Sequence, residues 1–154
     1  MPPLVLIVDP DELFLARLRS VARSIGYEAV CETEFASARQ CLVASKPAVV
    51  VANIRLKAFN GIHLAYLAKA GDLDTSVILY DSGYDLVLAR EAQRAHAFYE
   101  RQQGIPLSLR NYLAARLPSR DRRSPQTLDR RTAFRGGRRA TDVEGLHAAP
   151  AAQT

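Results

Sequence analysis

The sequence contains no apolar run that is long enough to cross a bilayer. A transmembrane helix needs about 18 or more consecutive apolar residues, and no stretch of the chain reaches that length. The first ten residues, MPPLVLIVDP, also lack the basic region and the small-residue cleavage site of a secretory signal. These absences favour a cytoplasmic protein that does not associate with a membrane.

Cysteine is scarce. The chain has two cysteines, Cys31 and Cys41, and neither a second pair nor a histidine at metal-ligand spacing accompanies them. This excludes a disulfide framework and a zinc site of the usual pattern. We expect both residues to be buried free thiols, and the sequence predicts no metal site and no cofactor.

Positive charge is concentrated towards the end of the chain. Residues 1–118 are nearly balanced, with thirteen Lys and Arg against twelve Asp and Glu, whereas residues 119–154 hold eight arginines against four acidic residues. The last segment, HAAPAAQT, has almost nothing to bury. We therefore predict a domain boundary at Pro118, with a folded domain over residues 1–118 and a basic, disordered tail over residues 119–154.

Short apolar runs alternate with segments of helical period over residues 1–118. This pattern is typical of an α/β fold in which crossover helices connect parallel strands. The predicted strands are Leu4–Val8, Glu28–Cys31, Ala48–Ala52, Val77–Tyr80 and Ala97–Tyr99. The predicted helices have core faces formed by Leu13, Leu15, Leu18, Val21 and Ala22, then by Ala38, Cys41 and Leu42, and continue over Ile62–Ala70, Leu86–Gln93 and Ser108–Leu117.

Polar residues follow four of these strands. In open parallel sheets, ligands and reactive groups lie beyond the carboxyl ends of the strands, so we expect the functional side chains there. The residues in question are Asp9, Pro10 and Asp11 after the first strand, Asn53 after the third, Asp81 and Ser82 after the fourth, and Glu100 and Arg101 after the fifth.

Four segments in order carry a resemblance to a known family. They are VLIVD near the start, VVVANIRLKAFNGIHL with Asn53 eight residues before Gly61, the apolar VILY strand, and AHAFYER. Over residues 4–117 the chain resembles a response-regulator receiver domain of the CheY-like type. The resemblance implies a flavodoxin-like, doubly wound sheet of five parallel strands in the order 2-1-3-4-5, with helices on both faces, and a role in two-component or phosphorelay signalling.

The chain departs from the family pattern where receivers do their chemistry. The resemblance implies that two adjacent carboxylates and an acceptor aspartate hold Mg²⁺, a cation that prefers oxygen ligands. Asp9 matches the first carboxylate, but Pro10 takes the second position and leaves Asp11 one residue late. Asn53 stands at the acceptor position, and its amide cannot attack a phosphoryl donor. Asp81 replaces the usual hydroxyl residue and would repel a phosphoryl group.

Two further positions differ near the fifth strand. Arg101 takes the place of the family lysine and differs from it in geometry, and Gln102 takes the place of the following proline. We therefore predict a phosphorylation-incompetent pseudo-receiver with no catalytic residues, which acts by binding. By resemblance, its partner surface comprises the fourth helix, fifth strand and fifth helix, with Tyr99, Arg110 and Tyr112 as candidate contacts.

Some of these residues also have structural interpretations. Asp9 could cap the first helix, with Pro10 at the first helical position and Glu12 completing a capping box. Arg101 could form an ion pair with Asp81 or Asp9 across the strand ends. Asn60-Gly61 is a turn signal before the third helix.

A hydrolase of the haloacid-dehalogenase type is an alternative. The segment VDPDE has the D-x-D form in which Asp9 would be the nucleophile and Asp11 the general acid. Asp81 and Asp85 in YDSGYD have the spacing that such enzymes use to complete a metal site. No lysine stands at a plausible position between these motifs and the sheet, because Lys46 ends a helix and Lys57 and Lys69 lie in a loop and on a helix.

The arginine-rich tail suggests a second alternative. Arginine recognises phosphate and guanine through its planar fork of donors, and the candidate residues are Arg130, Arg131, Arg135, Arg138 and Arg139 around Phe134 and Gly136-Gly137. The spacing of Arg131 and Arg135 resembles the arginine pair of PilZ-type cyclic di-GMP sites. Cyclic di-GMP, another anionic nucleotide, nucleic acid and an acidic protein surface remain possible ligands, and so does a solvated tail without a ligand.

Overall fold

The computed structural model describes residues 1–115. The main strands are β1 (Leu4–Val8), β2 (Glu28–Glu32), β3 (Val49–Asn53), β6 (Ser76–Asp81) and β7 (Phe98–Arg101), and two short strands, β4 (Arg55–Leu56) and β5 (Phe59–Asn60), follow β3. The helices are α1 (Glu12–Ser24), α2 (Phe35–Ser45), α3 (Ile62–Ala70), α4 (Leu86–Arg94) and α5 (Ile105–Ala114), with a 3₁₀ turn over Gln102–Gly104 before α5.

The five main strands form one parallel sheet in the order β2-β1-β3-β6-β7. With the short strands β4 and β5 left out, this is the predicted order 2-1-3-4-5. The fold class predicted from the alternating pattern is therefore confirmed, and β3 lies at the centre of the sheet with a neighbour on each side.

Helices cover both faces of the sheet. On one face, α1 and α5 pack against strand residues such as Ile7, Val51 and Tyr80. On the other face, α2, α3 and α4 pack against Leu6, Val50 and their neighbours. Because β3 is apolar on both sides, it contributes to both halves of the core, as a central strand of a two-sided sheet should.

The start of α1 differs from its prediction. Asp11 is the N-cap, and its carboxylate accepts a hydrogen bond from the Leu13 backbone N–H at 3.0 Å. Asp9 therefore does not cap the helix, Pro10 precedes the cap, and Glu12 is the first helical residue rather than part of a capping box. Leu13, predicted on the core face, is 83% exposed, because residues two apart in an α-helix point in nearly opposite directions and Leu15, with Leu18 and Ala22, faces the core.

A hairpin between β3 and α3 was not predicted. β4 and β5 pair antiparallel, with Arg55 opposite Asn60 and Leu56 opposite Phe59. Leu56 is buried and the ring of Phe59 stacks on Phe35 of α2, with centroids 4.9 Å apart, so the hairpin is anchored to the body of the domain. Its turn residues, Lys57 and Ala58, do not carry a strong hairpin signal.

Two smaller differences concern the start of α5 and the burial of the thiols. α5 begins at Ile105 rather than Ser108, with a proline in its first turn, and residues beyond 115 lie outside the described part of the chain. Cys31 and Cys41 are free thiols, as predicted, but both are half-buried rather than buried. Within residues 1–115, no helix is long and apolar enough to span a membrane.

Candidate functional site

Asp9 lies at the end of β1 and is 1% exposed. One carboxylate oxygen, Oδ1, accepts a hydrogen bond from the Asp11 backbone N–H at 2.7 Å. The other, Oδ2, accepts from Asn53 Nδ2 at 3.2 Å and from the Tyr80 hydroxyl at 2.6 Å. A buried carboxylate is costly unless it is well hydrogen-bonded, and these three donors meet that requirement with groups of the protein itself.

The side chain of Asn53, the last residue of β3, is oriented by a backbone N–H group two residues later in the chain. Its side-chain oxygen accepts a hydrogen bond from the Arg55 backbone N–H at 2.9 Å. Because an N–H donor needs an oxygen opposite it, the amide nitrogen of Asn53 must face Asp9. The acceptor position of the fold therefore presents hydrogens, and no negative charge, to the neighbouring carboxylate.

Tyr80 completes the contacts of Asp9 from β6. Its side chain is fully buried, and its ring packs edge-on against Phe14 of α1, with centroids 5.5 Å apart. Burial, and then the hydrogen bond to the Asp9 carboxylate, raise the pKa of the Tyr80 phenol far above its ordinary value. The hydroxyl thus stays protonated and acts as a donor. Sequence reasoning missed this role, because Tyr80 closes an apolar strand and looks like a core residue.

Asp81, at the end of β6, is 3% exposed and forms an ion pair. Its Oδ1 lies 2.9 Å from Arg55 Nε and 2.7 Å from the backbone nitrogen of Ser82. Burial alone raises the pKa of Asp81, but the hydrogen bonds from Arg55 and Ser82 outweigh burial and hold that pKa below its ordinary value. Asp81 is therefore a charged carboxylate with a resident cationic partner.

Gly61 lets the backbone close tightly beneath the site. A Cβ atom at this position would lie 2.2 Å from the backbone oxygen of Asn53. The Gly61 N–H also donates to the Ile54 carbonyl at 2.7 Å, and Asn60 Oδ1 accepts from the Ile62 N–H at 3.0 Å. The glycine that follows Asn53 by eight residues is thus required by close approach of the chain to itself.

The structure does not pair Arg101 as the sequence suggested. Arg101 is exposed and forms no ion pair with any residue of the described range, because Arg55 of the unpredicted hairpin is the partner of Asp81. Asp11 and Asp85 are both helix caps, Asp85 accepting from the Val87 N–H at 2.8 Å. One residue of each motif, Asp11 of D-x-D and Asp85 of D-x-x-x-D, is therefore a helix cap.

The residues present do not fit the Mg²⁺ that the fold family implies. Mg²⁺ needs several oxygen ligands in octahedral geometry. The Asp9 carboxylate already accepts three hydrogen bonds, Asn53 directs its amide hydrogens towards Asp9, and Asp81 is paired with Arg55. Within residues 1–115, no group of three or more His, Cys, Asp or Glu residues is arranged to hold a metal ion.

The candidate residues of the tail lie outside the described residues. This applies to Arg130, Arg131, Arg135, Arg138 and Arg139 and to the boundary at Pro118. The ligand-binding role of the tail and the position of the domain boundary therefore remain predictions.

Comparison of the fold with solved structures gives consistent neighbours. CheY4, a chemotaxis response regulator of Vibrio cholerae, has a TM-score of 0.68 at 14% identity over 76% of this chain and 100% of its own. The activated receiver domain of DrrB has a TM-score of 0.68 at 18% identity, covering 75% of this chain and 97% of its own. The signal receiver domain of an HD domain-containing protein from Pseudomonas fluorescens Pf-5 has a TM-score of 0.64 at 24% identity, covering 75% and 98%.

The chain has the receiver-domain fold. No protein-family model and no curated protein matches its sequence. At these identities the likeness concerns the fold, so the chemistry of this receiver fold must be inferred from its own side chains.

Proposed function

We propose that this receiver-like domain is a signalling module that does not accept a phosphoryl group and that acts by binding a protein partner. The observation that carries the proposal is Asn53, whose amide stands at the end of the central strand and faces Asp9. An amide has no lone-pair nucleophile comparable to a carboxylate oxygen, so the reaction of a receiver with a phosphoryl donor has no acceptor here.

Within residues 1–115, neither of the two neighbouring carboxylates replaces the missing acceptor. Asp9 is almost completely buried and holds three hydrogen bonds, which leaves it no approach to a donor in solution. Asp81 is 3% exposed and its carboxylate is already paired with Arg55, so it is not a free acceptor either. These features support a site that holds structure and performs no catalysis.

A candidate docking surface lies on α4 and the loop before it. Leu86 and Val87 are each 68% exposed and Tyr84 is 49% exposed, so three exposed apolar side chains lie within four consecutive residues, and we call them the α4 patch. Contiguous exposed apolar surface on a folded domain marks interaction sites. The patch adjoins β7 through Tyr99, whose ring lies 5.0 Å from that of Tyr84.

The three contact residues predicted by resemblance lie on β7 and α5 and differ in their exposure and contacts. Tyr99 is half-buried, and its hydroxyl accepts a hydrogen bond from the Asp85 N–H at 3.1 Å, so it supports the patch from below. Tyr112 is half-buried, stacks on Phe98 and donates its hydroxyl to Glu100. Arg110 is exposed on α5. We therefore expect the α4 residues to carry more of the contact than Tyr112 does.

Phosphoryl transfer from acetyl phosphate tests the first half of the proposal. The native chain should remain unlabelled in the presence of Mg²⁺, because no carboxylate nucleophile is available. The substitution Asn53→Asp supplies one and is the matched comparison. Labelling of the native chain at any residue of the strand-end site contradicts the proposal.

Site-specific photocrosslinking tests the second half. A photoreactive amino acid is placed at Leu86 and, as a control, at Val43 of α2, which is also apolar and is 59% exposed. In cells of the source organism, a discrete crosslinked species should form from position 86 and not from position 43. Equal patterns from the two positions would show that the α4 patch is not the docking surface.

A further inference from the structure

Arg55 is held over the strand-end site by the hairpin that carries it. Its backbone pairs with Asn60 in the hairpin, and the adjacent Leu56 side chain is buried. The Arg55 side chain is 72% exposed, yet its Nε lies 2.9 Å from a carboxylate oxygen of Asp81 whose side chain is 4% exposed. The guanidinium therefore sits at the mouth of the site, with one edge on the buried acid and the rest in solvent.

The site contains two buried carboxylates that need different kinds of support. Asp9 directly follows β1 and Asp81 is the last residue of β6, so the two flank the central strand β3. Asp9 receives only neutral donors, whereas Asp81 receives the one cationic group in contact with either acid among residues 1–115. Asn53 and Arg55 link the two, because the Arg55 N–H orients the amide that faces Asp9.

We propose that the guanidinium of Arg55 is the resident cation of this site and that it competes with a divalent metal ion for the strand-end carboxylates. The guanidinium neutralises Asp81 from within the chain, and through its backbone N–H Arg55 keeps the hydrogens of Asn53 turned inward. Both effects raise the free energy of a bound divalent cation, the first by charge repulsion and the second by removing an oxygen ligand. The inference rests on the proposed function in one respect only, namely that the site does not use metal for phosphoryl transfer.

Competition between Arg55 and Mg²⁺ is measured in a background that supplies a third carboxylate. Calorimetric titration with Mg²⁺ is performed on the native chain, on Asn53→Asp, and on Asn53→Asp combined with Arg55→Met. The native chain should show no saturable binding. The double variant should bind Mg²⁺ at least about tenfold more tightly than Asn53→Asp alone, because removal of the guanidinium removes a like charge from the site.

Arg101 provides the matched control. It is exposed, it lies beside Asp81 across the β6–β7 pairing, and it has no ion pair within the described range. Asn53→Asp combined with Arg101→Met removes the same charge and should leave Mg²⁺ affinity within about twofold of Asn53→Asp alone, because the exposed Arg101 side chain makes no ion pair with either carboxylate. An equal gain in Mg²⁺ affinity from both double variants would show that the effect comes from net charge alone and would overturn the inference.

A measurement without Asn53→Asp guards against variants that do not fold. Arg55→Met alone should lower the Tm by about 5 °C, since a buried carboxylate loses its cation, and Arg55→Lys should recover part of that loss. Saturable Mg²⁺ binding by the native chain, or a Tm of Arg55→Met equal to that of the native chain, contradicts the inference. None of these readouts involves a phosphoryl donor, so they fail or succeed independently of the labelling experiment.

Discussion

The hydroxyl of Tyr80 donates a 2.6 Å hydrogen bond to Asp9 Oδ2, and both side chains are almost completely buried. Tyr80→Phe removes one of three donors to the Asp9 carboxylate and keeps the ring against Phe14. We expect a loss of about 2 kcal/mol in the free energy of unfolding, measured by urea denaturation, because the acceptor is charged. Tyr27→Phe is the control: its hydroxyl donates to a neutral carbonyl, that of Leu113, so the loss should be about half as large.

Alkaline stability should depend on the same phenol. The pKa of Tyr80 is raised in the folded chain above the ordinary value of 10.0, first by burial and then by Asp9. The unfolded chain therefore releases this proton near pH 10 while the folded chain retains it, so the stability is complete below that pH and is lost as the pH rises above it. The free energy of unfolding should decrease as the pH rises above about 10, and Tyr80→Phe should make the decrease shallower. An unchanged slope would contradict this assignment.

Close packing at Gly61 makes a steric prediction. In Gly61→Ala, the new Cβ would meet the backbone oxygen of Asn53 at 2.2 Å, and a backbone atom cannot rotate away. We expect a destabilisation of about 3 kcal/mol. Gly83→Ala is the matched control, because a Cβ there meets nothing within 4 Å, and its effect should stay within about 0.5 kcal/mol. Thermal or urea unfolding of the two variants distinguishes them.

The residue that follows the C-cap of α4 has a left-handed backbone conformation, which is unfavourable for any residue except glycine. His96 has a φ of 59°, and its N–H donates to the Gln93 carbonyl while the Ala97 N–H donates to the Ala92 carbonyl, which is the hydrogen-bond pattern that favours glycine after a helix. His96→Gly should therefore raise the free energy of unfolding by about 0.5–1 kcal/mol. Gln93→Gly, one turn earlier within the helix, should lower it by a similar amount.

The arginine-rich tail makes a prediction of its own. If its arginines bind cyclic di-GMP, calorimetric titration of the full chain with the dinucleotide should release heat in proportion to binding, and a chain that stops at Pro118 should not. Substitution of Arg131 and Arg135 together tests the proposed pair, with Arg120 and Arg123 as a control pair of equal charge. The absence of heat with the full chain would remove this ligand from consideration.

The strands of the sheet could be predicted from the sequence because the pattern that marks a strand is local and recurs along the chain. Each main strand is a short apolar run bounded by polar residues, and the strand ends Asp9, Asn53 and Asp81 lie together as the parallel arrangement requires. The cap of α1 was assigned to the wrong acid because Asp9 and Asp11 are both good capping residues. Local pattern does not show which of the two a distant tyrosine will bind.

The ion pair of the site was assigned to the wrong arginine for a similar reason. Arg101 follows a predicted strand, whereas Arg55 belongs to a hairpin whose turn has no strong signal and whose anchor is a ring contact between Phe59 and Phe35. Such a contact depends on tertiary structure and leaves no periodic trace in the sequence. Tyr80 was missed because its polar end is a single atom on an otherwise apolar strand.

The polar end of the central strand β3 also affects how this strand aligns with its neighbours. Val49 to Ala52 are apolar on both sides, so these four residues do not by themselves distinguish one face of the strand from the other. Strand pairing is weakly specified where the pattern does not distinguish the faces. The contacts of Asn53 with Asp9 of one neighbouring strand, and of Ile54 with Tyr80 of the other, select a single alignment. The polar end of β3 therefore also fixes the alignment of β3 with its two neighbours, β1 and β6.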